Sequence, residues 1–102
     1  MAHRIVWTPA AIRDVEDIAA YIARDSVRYA SAVVASLRDL ARTLRDFPLS
    51  GRMVPELGDQ AVREKLVYGY RLIYRVGPGV VTVAAVVHAR QSFETGVGRL
   101  RK

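Results

Sequence analysis

Residues 62–88 read VREKLVYGYRLIYRVGPGVVTVAAVVH, and this stretch decides the fold. It is rich in β-branched and aromatic side chains and is cut twice by turn formers, at Tyr68-Gly69 and at Gly77-Pro78-Gly79. That pattern predicts three strands, Val62 to Val67, Tyr70 to Val76 and Val80 to His88. Connections so short force antiparallel pairing. The run from Val80 to Val87 does not alternate between apolar and polar residues, so its strand is expected to be central and covered on both faces.

Upstream, a loop carrying Pro48, Gly51, Pro55 and Gly58 separates these strands from two helical patterns. In the first, Ile12, Val15, Ile18, Ala19, Ile22 and Ala23 recur at helical spacing and predict an amphipathic helix over 9–24. Thr8 is its expected N-cap and Pro9 suits its first position, with Asp14, Glu16 and Asp17 towards the positive end of the dipole. In the second, Ala30, Val33, Val34, Leu37, Leu40, Ala41 and Leu44 form the apolar stripe, Asp25 or Ser26 caps the start, and Phe47-Pro48 ends it. The short link makes the two helices an antiparallel hairpin that needs a flat partner. With a short opening strand over residues 3–7, the expected architecture is α+β, β-α-α-β-β-β, a helical hairpin packed on an antiparallel sheet.

The chain has 102 residues, 51% of them hydrophobic and 25% charged, which matches one globular domain, assigned to residues 1–95, with a basic tail over 96–102. No apolar run reaches the ~18 residues of a membrane span, and the N-terminus lacks a signal-peptide core. A cytoplasmic location with no membrane partner is therefore expected. There is no cysteine, and two distant histidines give no metal-ligand spacing, so neither a metal nor another cofactor is expected.

The net charge is +6, and residues 51–102 contribute +5 of it. A small basic domain of this kind calls for an acidic partner. Fourteen of the sixteen basic residues are Arg, whose planar fork suits carboxylate or phosphate, although base composition of a genome produces the same bias. Arg63 and Lys65 share one face of their strand, and Arg71 and Arg75 share a face of the next. With Arg52 and Arg90 they form either an anion site or a solvated face paired to Glu56, Asp59 or Glu64. His88 stands at a strand end where a general acid or base would face a cleft, or where an imidazole simply bonds to backbone. A helix-turn-helix is disfavoured, because the second helix carries Asp39 and Asp46 among Arg38, Arg42 and Arg45.

Taken in order, several short motifs span nearly the whole chain. They are Trp7 with Ala11, Asp14, Ile18 and Tyr21; Phe47-Pro48-x-x-Gly51-Arg52-x-Val54-Pro55-Glu56; Arg63-Glu64; Tyr70-Arg71-x-Ile73-Tyr74-Arg75-Val76; and Val87-His88-x-Arg90. In these the chain resembles the ParE/RelE superfamily of toxins from type II toxin–antitoxin systems, closer to ParE. The resemblance implies the RelE/ParE-like fold and a growth-inhibiting toxin associated with plasmid stabilization, held in a hetero-oligomer by a cognate antitoxin whose tail crosses a basic groove. ParE-like members inhibit DNA gyrase. RelE-like members cut mRNA on the ribosome, and in that case Arg63, Arg71, His88 and Arg90 are the expected catalytic set. The sequence lacks a tyrosine beyond Tyr74 that would serve as acid, which favours the gyrase alternative. In either case Arg52, Arg63, Lys65, Arg71, Arg75 and Arg90, with Phe93, are the expected contacts to target or antitoxin. A basic binding module without toxicity is the third alternative.

Overall fold

In the computed structural model, which describes residues 2–89, two helices pack on a five-stranded sheet. In chain order the elements are β1 (Arg4–Trp7), α1 (Pro9–Ala23), α2 (Val27–Thr43), β2 (Arg52–Met53), β3 (Val62–Val67), β4 (Tyr70–Gly77) and β5 (Val80–His88). Strand order across the sheet is β1-β5-β4-β3-β2. Both expected N-caps are in place: Thr8 accepts from the Ala11 amide at 3.0 Å, and Ser26 from the Tyr29 amide at 3.0 Å. The three predicted strands fall where expected, with β4 one residue longer.

The sheet departs from the expected four-strand antiparallel arrangement in two respects, one of direction and one of strand number. β1 runs parallel to β5, and the loop before β3 supplies an extra two-residue edge strand, β2. β1 covers only the first half of β5, because the chain turns into α1 at Thr8. From there α1 side chains continue the ladder: Thr8 Oγ1 donates to the Ala84 carbonyl at 3.3 Å, and Asp14 Oδ2 accepts from the Val86 amide at 2.9 Å. Asp14 therefore serves a strand edge. The helix dipole was the wrong assignment for it, since no acidic residue occupies the first turn of α1.

The helix-side core joins Val33, Leu37, Ala41 and Leu44 of α2 to Leu72 and Tyr74 of β4 and to Val81, Val83 and Val86 of β5. On α1 the buried residues are Ala11 and Ile22, whereas Ile12, expected inside, is 47% exposed. A register shift between β4 and β5 pairs Ile73 with Ala85 but Tyr74 with Val83, leaving Ala84 as the extra residue. The bulge inverts the phase of β5. Val81 and Val83 face the helices before it and Val86 after it, while Ala85 and Val87 face away. That inversion is why the sequence shows no alternation there. The outward pair packs with Val54, Val62, Ile73 and Leu57 in a second core. The loop over residues 54–57 thus supplies the outer cover of β5, which is central and covered on both faces as expected.

Candidate functional site

The register sorts the expected cations onto two faces. Arg63 and Lys65 pair with Tyr74 and Leu72, so they lie on the helix side of the sheet. Arg71 and Arg75 pair with Leu66 and Val62 and lie on the other side, where Arg52 of β2 stands opposite Glu64.

On that outer face Glu64 is fully buried, and its carboxylate binds two guanidinium groups. Arg52 Nε donates to Oε2 at 2.6 Å, while Arg71 donates to Oε1 from Nε at 2.7 Å and also from its NH2 group. Arg71 reaches Glu56 as well, at 3.6 Å. A charge this deep is tolerated only because it is paired, and removing one partner of such a group costs about 3–5 kcal/mol. Arg75 pairs with Asp59 at 3.6 Å. On the helix side, Arg63 donates to the carbonyls of Gln60 at 3.0 Å and Gly51 at 3.0 Å, and Lys65 to Ser50 Oγ at 3.2 Å. These contacts tie the loop before β3 to the sheet. Sequence reasoning treated Glu56, Asp59 and Glu64 alike as surface partners; Glu64 is instead buried between Arg52 and Arg71, and the loop brings Glu56 to Arg71 as well.

The same loop is anchored from below by Tyr74, whose hydroxyl accepts from the Gly51 amide at 2.9 Å. Burial raises the Tyr74 phenol above its ordinary pKa, and the Gly51 hydrogen bond and nearby Arg63 offset that only in part. His88 lies on the helix side, edge-on to Tyr70 at 5.4 Å. Arg71 faces the opposite way, so the structure does not bring His88, Arg63 and Arg71 together. Arg90, Phe93 and the basic tail lie outside the described residues. Among the described residues no cluster of three or more His, Asp or Glu side chains is arranged to hold a metal. No helix there is long and apolar enough to cross a membrane.

A separate groove of about 860 Å³ runs between β1 and the helical hairpin. Ile5, Trp7, Ile12, Val15, Leu37 and Ala41 give it an apolar lining, and Arg4, Arg38, Arg42 and Arg45 outnumber the single acid, Glu16, around it. Arg42 pairs with exposed Asp39 at 3.2 Å. β1 is an end strand of the sheet, so a strand edge borders the groove. In the sequence the α2 arginines bear only on setting aside a helix-turn-helix. Their spacing, 38, 42 and 45, combined with exposed Ile12 is the signal that marks a groove wall.

Comparison with known proteins agrees with this architecture. The family described as "ParE toxin of type II toxin-antitoxin system, parDE" matches residues 5–93. A relative from Sinorhizobium fredii, named "Putative toxin Y4kP", is 33% identical over 93 residues, covering 88% of this chain and 92% of its own. Among solved structures, a chain of the chromosomal ParDE toxin–antitoxin system from P. aeruginosa superposes with a TM-score of 0.71 at 16% identity, covering 87% of this chain and 98% of that one. A mutant of the E. coli toxin RelE in the free state gives 0.69 at 20% identity, covering 98% and 99%. A chain of the Mycobacterium tuberculosis RelBE2 complex gives 0.62 at 20% identity, covering 86% and 99%. The helical hairpin on a mixed sheet, the motifs along it and the family match across nearly its whole length agree: this chain belongs to the ParE toxin family of type II toxin–antitoxin systems.

Proposed function

We propose that the protein is a cytoplasmic ParE-like toxin that inhibits DNA gyrase without enzymatic chemistry of its own, and that a cognate antitoxin neutralises it by laying an acidic, apolar segment in the groove between β1 and the helices. The observation that carries the antitoxin half is the groove itself, with its apolar lining, four arginines around it and a sheet edge beside it. An amphipathic segment with carboxylates on its polar side fits such a surface, burying its apolar face and gaining electrostatic steering. Support for a non-nuclease comes from the sheet register. Of the candidate catalytic residues that are described, Arg63 and His88 face the helix side and Arg71 the other, where it is committed to Glu64 and Glu56. On this reading the outer-face arginines, Arg52, Arg71 and Arg75, together with Arg63, Lys65, Arg90 and Phe93, serve loop architecture or partner contact and do not perform phosphate chemistry.

Controlled expression in a bacterium tests the reading, following growth, mRNA integrity and the DNA damage response together, with and without a neighbouring antitoxin gene. Damage signalling with intact transcripts, relieved by the antitoxin, is the expected result. Codon-linked mRNA cleavage would replace it with the RelE-like ribosome-dependent nuclease, and unaffected growth with a binding module lacking toxicity.

A further inference from the structure

The end of the helical hairpin away from the groove is built of tyrosines. Tyr21 lies near the end of α1, Tyr29 near the start of α2, Tyr68 and Tyr70 on either side of Gly69, and His88 at the end of β5. The Tyr29 and Tyr68 rings meet edge to face at 5.8 Å and 86°. Tyr21 and Tyr29 are close enough to Tyr70 to add to the upward pKa shift that burial gives its phenol. Even so, Tyr21 is 68% exposed, Tyr29 46% and Tyr68 51%, and the aliphatic Val27 is 70% exposed. Arg24 lies 6.0 Å over the Tyr21 ring.

The Tyr68 backbone makes this more than a chance cluster. Among the described residues it is the non-glycine residue with positive φ, at 52°, and Gly69 follows at 81°. A two-residue hairpin turn with both angles positive favours Asn, Asp or Gly at its first position, and a bulky ring there is an outlier. The contact with Tyr29 returns part of that cost, yet the residue as a whole stays half exposed. A strained position that keeps an exposed aromatic side chain points to a role outside the fold.

We propose that this tyrosine end is the surface with which the toxin docks on its protein target, a surface distinct from the antitoxin groove; the inference rests on the gyrase reading above. Tyrosine and arginine, with few acids and an aliphatic neighbour, are the composition of interface hot spots. Arg24 and Arg28 flank Asp25 at the turn between the helices, so the complementary patch on the target is apolar with an acidic border. Stacked nucleobases fit less well. The rings meet edge to face instead of forming a flat open platform, and Arg24 already lies over Tyr21.

The test uses the whole toxin, purified DNA gyrase in a supercoiling assay, and the variants Tyr68→Asn and Tyr21→Ala. Tyr68→Asn relieves the turn, so its thermal midpoint is expected to equal or exceed that of the parent, while each variant needs about 10-fold more toxin for half inhibition. Undiminished inhibition by both variants overturns the docking surface and leaves the gyrase reading standing. A lowered midpoint in Tyr68→Asn that accounts for its lost inhibition makes the ring a brace and overturns it too. Binding of a single-stranded thymidine oligonucleotide that both variants abolish reassigns the surface to nucleic acid. A parent toxin that leaves supercoiling untouched in stoichiometric excess removes both readings together.

Discussion

Gly51 occupies a place where only hydrogen fits. A Cβ there would stand 2.6 Å from the Glu64 carbonyl oxygen and 2.6 Å from the Tyr74 hydroxyl, and the first of these is backbone in a paired strand that cannot step aside. Gly51→Ala should therefore destabilise the fold by about 1–3 kcal/mol, the usual cost of overpacking, read as a lower urea midpoint at unchanged slope. Tyr74 sets a second expectation. Its folded pKa is raised above 10.0, so the unfolded chain loses the phenolic proton first as pH rises. The stability this group contributes is fully present below about pH 10 and disappears as pH climbs through the folded value. Alkaline unfolding should thus be less steep in Tyr74→Phe, which also leaves the buried Gly51 amide without its acceptor at a cost of about 1–3 kcal/mol at neutral pH. Denaturation curves at a series of pH values measure both effects.

At the scale of elements, β5 is organised by two neighbours of different kinds. β1 pairs with its first four residues, and beyond Val83 the side chains of Thr8 and Asp14 take the place of a strand. This arrangement lets α1 start where β1 stops and still leaves the β5 backbone satisfied. It also fixes the helix against the bulge at Ala84, the point where β5 changes which residues face the core. Asp14→Ala leaves the half-buried Val86 amide without this acceptor, and the expected loss is about 1–3 kcal/mol. Faster amide hydrogen exchange at Val86, relative to Val81 in the part covered by β1, distinguishes this local effect from global unfolding.

Across the described residues, charge is divided by place in the fold. The positive groups on β2, β3 and β4 are consumed internally: Arg52 and Arg71 on Glu64, Arg75 on Asp59, Arg63 on loop carbonyls and Lys65 on Ser50. The helical half, nearly neutral by count, gathers Arg4, Arg38, Arg42 and Arg45 around one apolar groove. Arg38→Glu combined with Arg45→Glu should therefore weaken the antitoxin complex at least about 10-fold and flatten its dependence on salt, because rim charges act mainly through steering and long-range attraction. Titration of a cognate antitoxin at two ionic strengths measures this. Unchanged affinity would move the antitoxin to another face.

The sequence by itself determined every element except the two-residue β2, because each of the others is written in local chemistry. Thr8-Pro9 and Ser26 start helices, the 3- and 4-residue spacing of α2 sets its buried face, and Tyr68-Gly69 and Pro78-Gly79 turn the strands. The family motifs are equally local and were legible in order along the chain. What only the tertiary structure decided depends on register and on contacts between distant residues. The parallel placement of β1, the one-residue bulge that inverts β5, and the assignment of Arg63 and Arg71 to opposite faces each turn on which residue sits across from which. A one-residue slip moves every side chain of a strand to the other side, and no local pattern in a run of valines and alanines fixes it. The groove is further still from the sequence. Residues 4, 12, 38 and 45 become neighbours only when the hairpin closes on the sheet.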